Sequence, residues 1–202
     1  MIVERVIVGP MQTNCYVLAE SKNSECLIID PGADYKDIQA ILDRLRLTPK
    51  FIINTHGHID HIGADGDFKV PVYIHRLDSE FLHDPAKNLS FCYKDSKALL
   101  KPSRLLEDGD VLELKKSIRI KVIHTPGHTP GSISLKVDTA IFTGDTLFFE
   151  GVGRTDLPAG NEKALFVSIK EKLLLFADTT VIYPGHGHES TIGHEKKHNP
   201  FL

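Results

Sequence analysis

Short apolar runs, helix-spaced apolar positions and polar turns alternate along this chain. The runs Ile2–Val8, Tyr16–Glu20 and Cys26–Asp30 are rich in β-branched residues and predict strands, with Gly9-Pro10 and Pro31-Gly32 as breaks. Over Asp34–Arg46, the positions Ile38, Ile41, Leu42 and Leu45 recur at the spacing of one helix face, and Pro49 marks the end of that segment. Lys50–Asn54 reads as a buried strand and Val70–His75 as a short one, whereas Arg76–Leu106 mixes helical and irregular signals without a clear period. Four more strands are predicted at Val111–Leu114, Ile118–His124, Ser132–Val137 and Ala140–Thr143. Leu165, Phe166, Ile169, Leu173 and Phe176 then predict a helix over Glu162–Phe176, followed by a strand at Thr180–Tyr183 and a short helix at Thr191–Lys197. Runs of strands broken by helices predict an α/β protein with two mixed sheets and helices outside, rather than regular βαβ winding. No repeat, linker or low-complexity stretch divides residues 1–202, which read as one compact domain.

Composition narrows the classes of function. The chain has 202 residues, 41% hydrophobic and 25% charged, the profile of a globular protein that needs no disulfide to fold. Lys+Arg 24 against Asp+Glu 27 leaves a net charge of -3, with no basic footprint for nucleic acid or an anionic membrane. No apolar stretch approaches the roughly 18–20 residues of a membrane helix. Glu4 and Arg5 interrupt the first apolar run, which therefore lacks a signal-peptide layout. Cys15, Cys26 and Cys92 form no CxxC pair, which disfavours a disulfide framework or zinc ribbon, and a reducing cytoplasm is the expected setting.

The count of 11 histidines directs attention to metal and acid–base chemistry. Thr55-His56-Gly57-His58-Ile59-Asp60-His61 follows a strand and holds four groups able to ligate a metal. His56 and His58, two apart, project from one face of an extended chain, and Gly57 lets the backbone turn between them. Asp60 and His61 follow as the chain enters a helix near Ile62, where adjacent residues diverge, so the two pairs are able to serve different ions. Three imidazoles and a carboxylate this close would repel on protonation unless a cation organises them. Later strand ends add His128 between two Pro-Gly pairs in Thr125–Gly131, Asp145 in Phe142–Thr146, and His186 in Tyr183–His188. Imidazole and carboxylate donors without cysteine favour zinc, iron or manganese.

Two other signals carry less. His194-Glu195-Lys196-Lys197-His198 fits the HExxH zinc motif, but four residues follow it and no third ligand lies downstream. No GxSxG elbow supports a serine nucleophile. His75, His83 and His124 read as structural and His188 as an exposed neighbour of His186.

The pattern His56-x-His58-x-Asp60-His61, followed by a distant His128, Asp145 and His186, resembles the metallo-β-lactamase superfamily, and all seven positions are filled. Ile29-Asp30-Pro31-Gly32-Ala33 and Gly144-Asp145-Thr146-Leu147-Phe148 extend the match over nearly the whole chain. Gly151-Val152-Gly153-Arg154-Thr155-Asp156 and the closing Asn199-Pro200-Phe201-Leu202 are similar to the short glyoxalase II-like hydrolases of that superfamily. The resemblance implies an αββα four-layer sandwich with a dinuclear site along one edge. It implies one trio of His56, His58 and His128, a second of Asp60, His61 and His186, and Asp145 offering an oxygen to each ion. Arg154 is where glyoxalase II enzymes carry a basic residue that contacts glutathione, and Asp30 is expected to orient a ligand from behind.

The chemistry so implied is hydrolysis of a 2-hydroxyacyl thioester such as S-lactoylglutathione. A hydroxide bridging two divalent ions, most readily zinc, would attack the thioester carbonyl. Asp60 and Asp145 are the carboxylates of that reaction, and a small-molecule thioester is the expected partner. The sequence lacks the C-terminal helical domain with which longer glyoxalase II enzymes hold glutathione, so the thiol carrier stays open. The competing readings are a persulfide dioxygenase using one iron held by two histidines and one aspartate, and a lactonase-type hydrolase.

Overall fold

The computed structural model describes residues 1–92, 101–115 and 118–202, so part of the Arg76–Leu106 segment, at 93–100, lies outside the described residues. Its first sheet has the strand order β1-β2-β3-β4-β5-β6, with β1 at Ile2–Val8, β2 at Thr13–Ala19, β3 at Glu25–Ile29, β4 at Thr48–Ile53, β5 at Val72–His75 and β6 at Arg104–Leu106. Pairing is antiparallel from β1 to β3 and parallel from β3 to β6. The second sheet has the order β14-β13-β10-β9-β8-β7. These strands are β7 (Val111–Leu114), β8 (Ile118–His124), β9 (Ile133–Val137), β10 (Ala140–Gly144), β13 (Val181–Pro184) and β14 (Ser190–Thr191), and only β10 and β13 run parallel. A small hairpin, β11 (Leu147–Phe148) with β12 (Gly151–Val152), follows β10.

Strand periodicity explains the layers. In β2, Tyr16 and Leu18 point between the sheets, where they meet Phe142 and Leu135, while Cys15, Val17 and Ala19 face helix α1 (Tyr35–Leu45) through Ile38 and Leu42. A strand covered on both faces loses its polar alternation, and every residue of β2 is buried. The outer face of the second sheet packs Ile141 and Ile182 on Leu165, Ile169 and Leu173 of the segment that begins as α3 (Glu162–Ser168), and on Ile192 of α4 (Ile192–His198). The layers are therefore helix, sheet, sheet, helix: the αββα sandwich expected from the sequence.

Two of these elements depart from expectation. The helix predicted over Glu162–Phe176 is α-helical only to Ser168 and π-helical over Ile169–Leu173, with Leu174 N donating to Ile169 O at 2.9 Å. That wider turn accompanies contacts of Ser168 Oγ with Pro126 O at 2.7 Å and of Lys172 Nζ with His124 O at 2.6 Å, both in the loop leading to His128. β2 begins at Thr13, before the expected Tyr16, because Thr13, Asn14 and Cys15 pair with Val8, Ile7 and Val6 of β1, and the Asn14 side chain also donates to the carbonyls of Pro184 and Gly187. Within Arg76–Leu106, where no clear period was found, the described residues include a 3-10 helix at Arg76–Leu82, another at Ser90–Cys92, and β6.

Candidate metal centre

All the strand ends that carry candidate ligands open onto one edge of the sandwich. His56 and His58 follow β4, and a helical turn, α2 (Ile59–Ile62), starts earlier than expected and contains Asp60 and His61. His128 lies between β8 and β9, Asp145 follows β10, and His186 follows β13. Gly57 is required for space: a Cβ there would lie 2.2 Å from Cβ of Phe81.

The donor atoms converge in three overlapping groups, each within 4.8 Å: His56, His58 and His128; Asp60, His61 and His186; and His56, His61 and Asp145. Oδ1 of Asp145 is 3.4 Å from Nε2 of His61, and its Oδ2 is 3.6 Å from His128 Nε2 and 3.5 Å from His186 Nε2. Nδ1 of His58 is 2.9 Å from Nε2 of His128, and Oδ2 of Asp60 is 3.3 Å from Nε2 of His186.

The far side of each ring decides what the near side offers. Nδ1 of His61 meets Asp30 Oδ2 at 2.9 Å, Nδ1 of His128 meets Arg154 O at 2.7 Å, and Nδ1 of His186 meets Met11 O at 3.1 Å. Each partner accepts, so each Nδ1 donates and Nε2 is the nitrogen turned toward the centre. Thr55 Oγ1 donates to Asp30 Oδ2 at 2.6 Å and so accepts from His56 Nδ1 at 3.2 Å, which again frees Nε2. Thr13 Oγ1 donates to Asp60 Oδ2 at 3.0 Å. Asp30, with φ of 52°, sits behind the site as expected and also accepts Thr55 N at 2.7 Å.

These groups fit divalent cations. Nε2 of His56, Nε2 of His58 and Oδ1 of Asp145 are buried without a hydrogen-bond partner, an arrangement that costs free energy unless something binds. Burial, then the neighbouring His61 and His128, holds the His56 imidazole well below its ordinary pKa and therefore neutral. Burial followed by His128 lowers His58 to about 3. At His61, burial pulls the pKa down, but the carboxylates of Asp60, Asp145 and Asp30 outweigh it and raise it to about 10. Burial pushes Asp60 up, yet His61 and His186 more than reverse this and hold it ionised.

A cavity of about 350 Å³ opens over the donors, with apolar walls from Met11, Leu89, Phe148, Val152 and Leu157. A larger one, about 530 Å³, lies at Gly32–Asp37 and Gly63–Asp67 and contains none of the seven candidate ligands. Arg154 lines the cavity above the donors, but its guanidinium is engaged by Asp156 at 2.7 and 2.8 Å while its carbonyl orients His128. Sequence reasoning missed that carbonyl, together with Thr13, Thr55 and the Met11 carbonyl, because main-chain acceptors and lone hydroxyls leave no motif.

The HExxH segment does other work. Glu195 is fully buried, accepting from Ser190 Oγ, from Glu150 N at 3.0 Å and from Asn199 Nδ2 at 2.8 Å. His194 pairs with Glu150 at 3.0 Å and stacks on Phe149. His194→Ala is expected to leave bound metal and turnover within about twofold of wild type, as for a surface substitution; loss of a metal equivalent, read by elemental analysis, would contradict this. His75 and His124 stack with ring centroids 4.1 Å apart, and neither they nor His188 join a donor group.

Comparison with known proteins agrees with the geometry. Residues 8–186 match the family described as Metallo-beta-lactamase superfamily. The hydroxyacylglutathione hydrolase GloC of Haemophilus influenzae is 35% identical over 210 residues, covering 100% of this chain and 98% of that protein. The crystal structure of BLEG-1, a B3 metallo-β-lactamase, is similar with a TM-score of 0.91 and 38% identity, covering 100% of this chain and 99% of that one. That of TTHA1623 in a di-iron-bound form has a TM-score of 0.84 and 36% identity, covering 99% and 100%. With the fold, the seven filled positions and this match over most of its length, the chain belongs to the metallo-β-lactamase superfamily and is a metallo-hydrolase type of enzyme.

Proposed function

We propose that this protein is a dinuclear metal-dependent hydrolase of acyl thioesters, with 2-hydroxyacyl thioesters such as S-lactoylglutathione as its substrate class. The observation that carries the reading is Asp145, whose two oxygens lie within 3.4 to 3.6 Å of His61, His128 and His186 and so tie the two donor trios together. A single iron held by two histidines and one aspartate would leave several of these buried groups without a function. One cation would sit on His56, His58 and His128, and the other on Asp60, His61 and His186, with Asp145 shared. Zinc suits this nitrogen and oxygen set, and the di-iron form of TTHA1623 makes iron the alternative.

Bound divalent ions supply Lewis acidity, lowering the pKa of water from 15.7 to roughly 7 and polarising the carbonyl. The chain's own residues prepare for that chemistry. The Nδ1 partners of His61, His128 and His186 hold each Nε2 lone pair toward the centre, and Thr13 fixes one oxygen of Asp60. The ionised Asp60 places an acceptor beside His186, where it can orient an attacking water. Met11, Leu89, Phe148, Val152 and Leu157 exclude bulk water and accept the hydrocarbon part of the acyl group. A thiolate leaves without needing a strong acid, and no side chain of the cavity has to supply one.

Arg154 is assigned to substrate binding, its guanidinium exchanging Asp156 for an anionic group of the thiol carrier. Arg154→Ala is expected to raise KM about tenfold with kcat nearly unchanged, the signature of uniform binding. A fall in kcat alone would contradict that role. The setting proposed is the cytoplasm, with which the buried, unbridged Cys15 and Cys26 are compatible. The function is tested by turnover of S-lactoylglutathione beside a β-lactam and beside glutathione persulfide with oxygen uptake followed. Thioester hydrolysis is expected to dominate; oxygen uptake with one iron per chain would overturn the reading, and preferential β-lactam cleavage would move the substrate toward that of BLEG-1.

A further inference from the structure

Behind the trio of His56, His58 and His128 lies a carboxylate that no ligand motif contains. Asp78 belongs to the 3-10 helix Arg76–Leu82, which leaves β5 of the first sheet, and it has no solvent exposure. Its Oδ2 accepts from Gly57 N at 3.0 Å and from Thr129 Oγ1 at 2.7 Å, and its Oδ1 accepts from Gly131 N at 2.6 Å. Gly57 lies between His56 and His58, while Thr129 and Gly131 lie in the turn that carries His128. One buried carboxylate thus grips both loops, one from each sheet. We propose that Asp78 is a positioning residue, setting the spacing between His56 and His58 on one loop and His128 on the other so that their nitrogens meet at a metal.

The surroundings fit that role. Thr129 Oγ1 donates to Asp78 and so accepts from Ser132 Oγ at 2.8 Å, while Ser132 Oγ accepts Thr129 N at 3.0 Å, which makes the His128 turn rigid. Gly131 is obligatory here, because a Cβ would stand 2.5 Å from Oδ1 of Asp78. Among the described residues Asp78 has no ion-pair partner, and all three of its hydrogen bonds reach these two loops. Asp30 plays a comparable part for the other trio through His61, and through Thr55 it also reaches His56. Two buried carboxylates thus stand behind the centre, Asp78 gripping only the loops of the first trio and Asp30 touching both trios.

This inference rests on the two-metal reading, and its test separates the two. Zinc is titrated into wild type, Asp78→Asn and Thr129→Val against a chromogenic chelator, with circular dichroism and melting of the metal-free proteins recorded alongside. In Asp78→Asn an amide NH₂ replaces an acceptor and faces a donor; Thr129→Val removes one hydroxyl at similar volume and serves if the first variant fails to fold. One of the two binding steps is expected to weaken by about 10- to 100-fold, as is usual for groups that orient ligands, while the other shifts less than about threefold. Two unchanged steps would overturn the proposal, as would equal weakening of both steps, which marks general destabilisation. Wild-type protein that binds no zinc would overturn the proposed function and this inference together.

Discussion

Replacing Asp145 by alanine is expected to cut kcat by at least about a thousandfold, since electrostatic stabilisation and metal-activated water are the largest contributions available to such a site. Its carboxylate approaches His61 through one oxygen and His128 and His186 through the other. Removal leaves both trios a donor short and withdraws the negative charge that offsets two cations. Asp145→Asn keeps one acceptor oxygen and should fall between the two. The measurement is single-turnover thioester hydrolysis on protein of verified fold and metal content. Wild-type rates in Asp145→Ala would mean that the reaction takes place elsewhere on the chain.

The second large effect is on metal affinity. In the metal-free chain the His61 pKa is raised to about 10, against burial, by Asp60, Asp145 and Asp30. A cation must therefore displace a proton from His61, and affinity should rise about tenfold per pH unit from neutrality toward pH ~10. The sign for folding is opposite. A group raised from 6.5 to about 10 in the fold contributes stability that is complete below 6.5 and is lost as the pH rises through about 10. Metal-free protein is thus expected to melt at progressively lower temperature across that window, with His186, also raised despite burial by Asp60 and Asp145, acting in the same direction. His58, lowered to about 3, loses its contribution only as the pH falls below 6.5 and does not disturb the trend. Calorimetry of zinc binding in buffers of different ionisation enthalpy counts the released proton. A pH-independent affinity would show that His61 is not protonated in the metal-free protein.

Much of this architecture was legible in the chain because a physical period wrote it there. α1 was readable from Ile38, Leu42 and Leu45, which fill one face, and the strands from their β-branched runs. The seven candidate ligands were readable because metal chemistry demands particular side chains at close spacing. What was not readable depends on contacts between distant segments. Asp78 sits in a stretch without periodicity, and nothing near it in sequence announces Gly57 or Gly131 as its partners. Thr13 looks like a turn residue until β2 brings it to Asp60. The π-helical turn at Ile169–Leu173 ends a helix whose apolar spacing reads as regular. His194-Glu195 shows the reverse failure: a complete local motif whose glutamate is consumed by buried hydrogen bonds to Ser190, Glu150 and Asn199.

Two cations held by seven side chains and used to hydrolyse a thioester can be counted and assayed in one titration. Zinc is added stepwise to metal-free protein while S-lactoylglutathione turnover is followed on the same sample. The rate is expected to climb to a plateau at two equivalents per chain. A plateau at one equivalent, or no turnover with two ions bound, would contradict it.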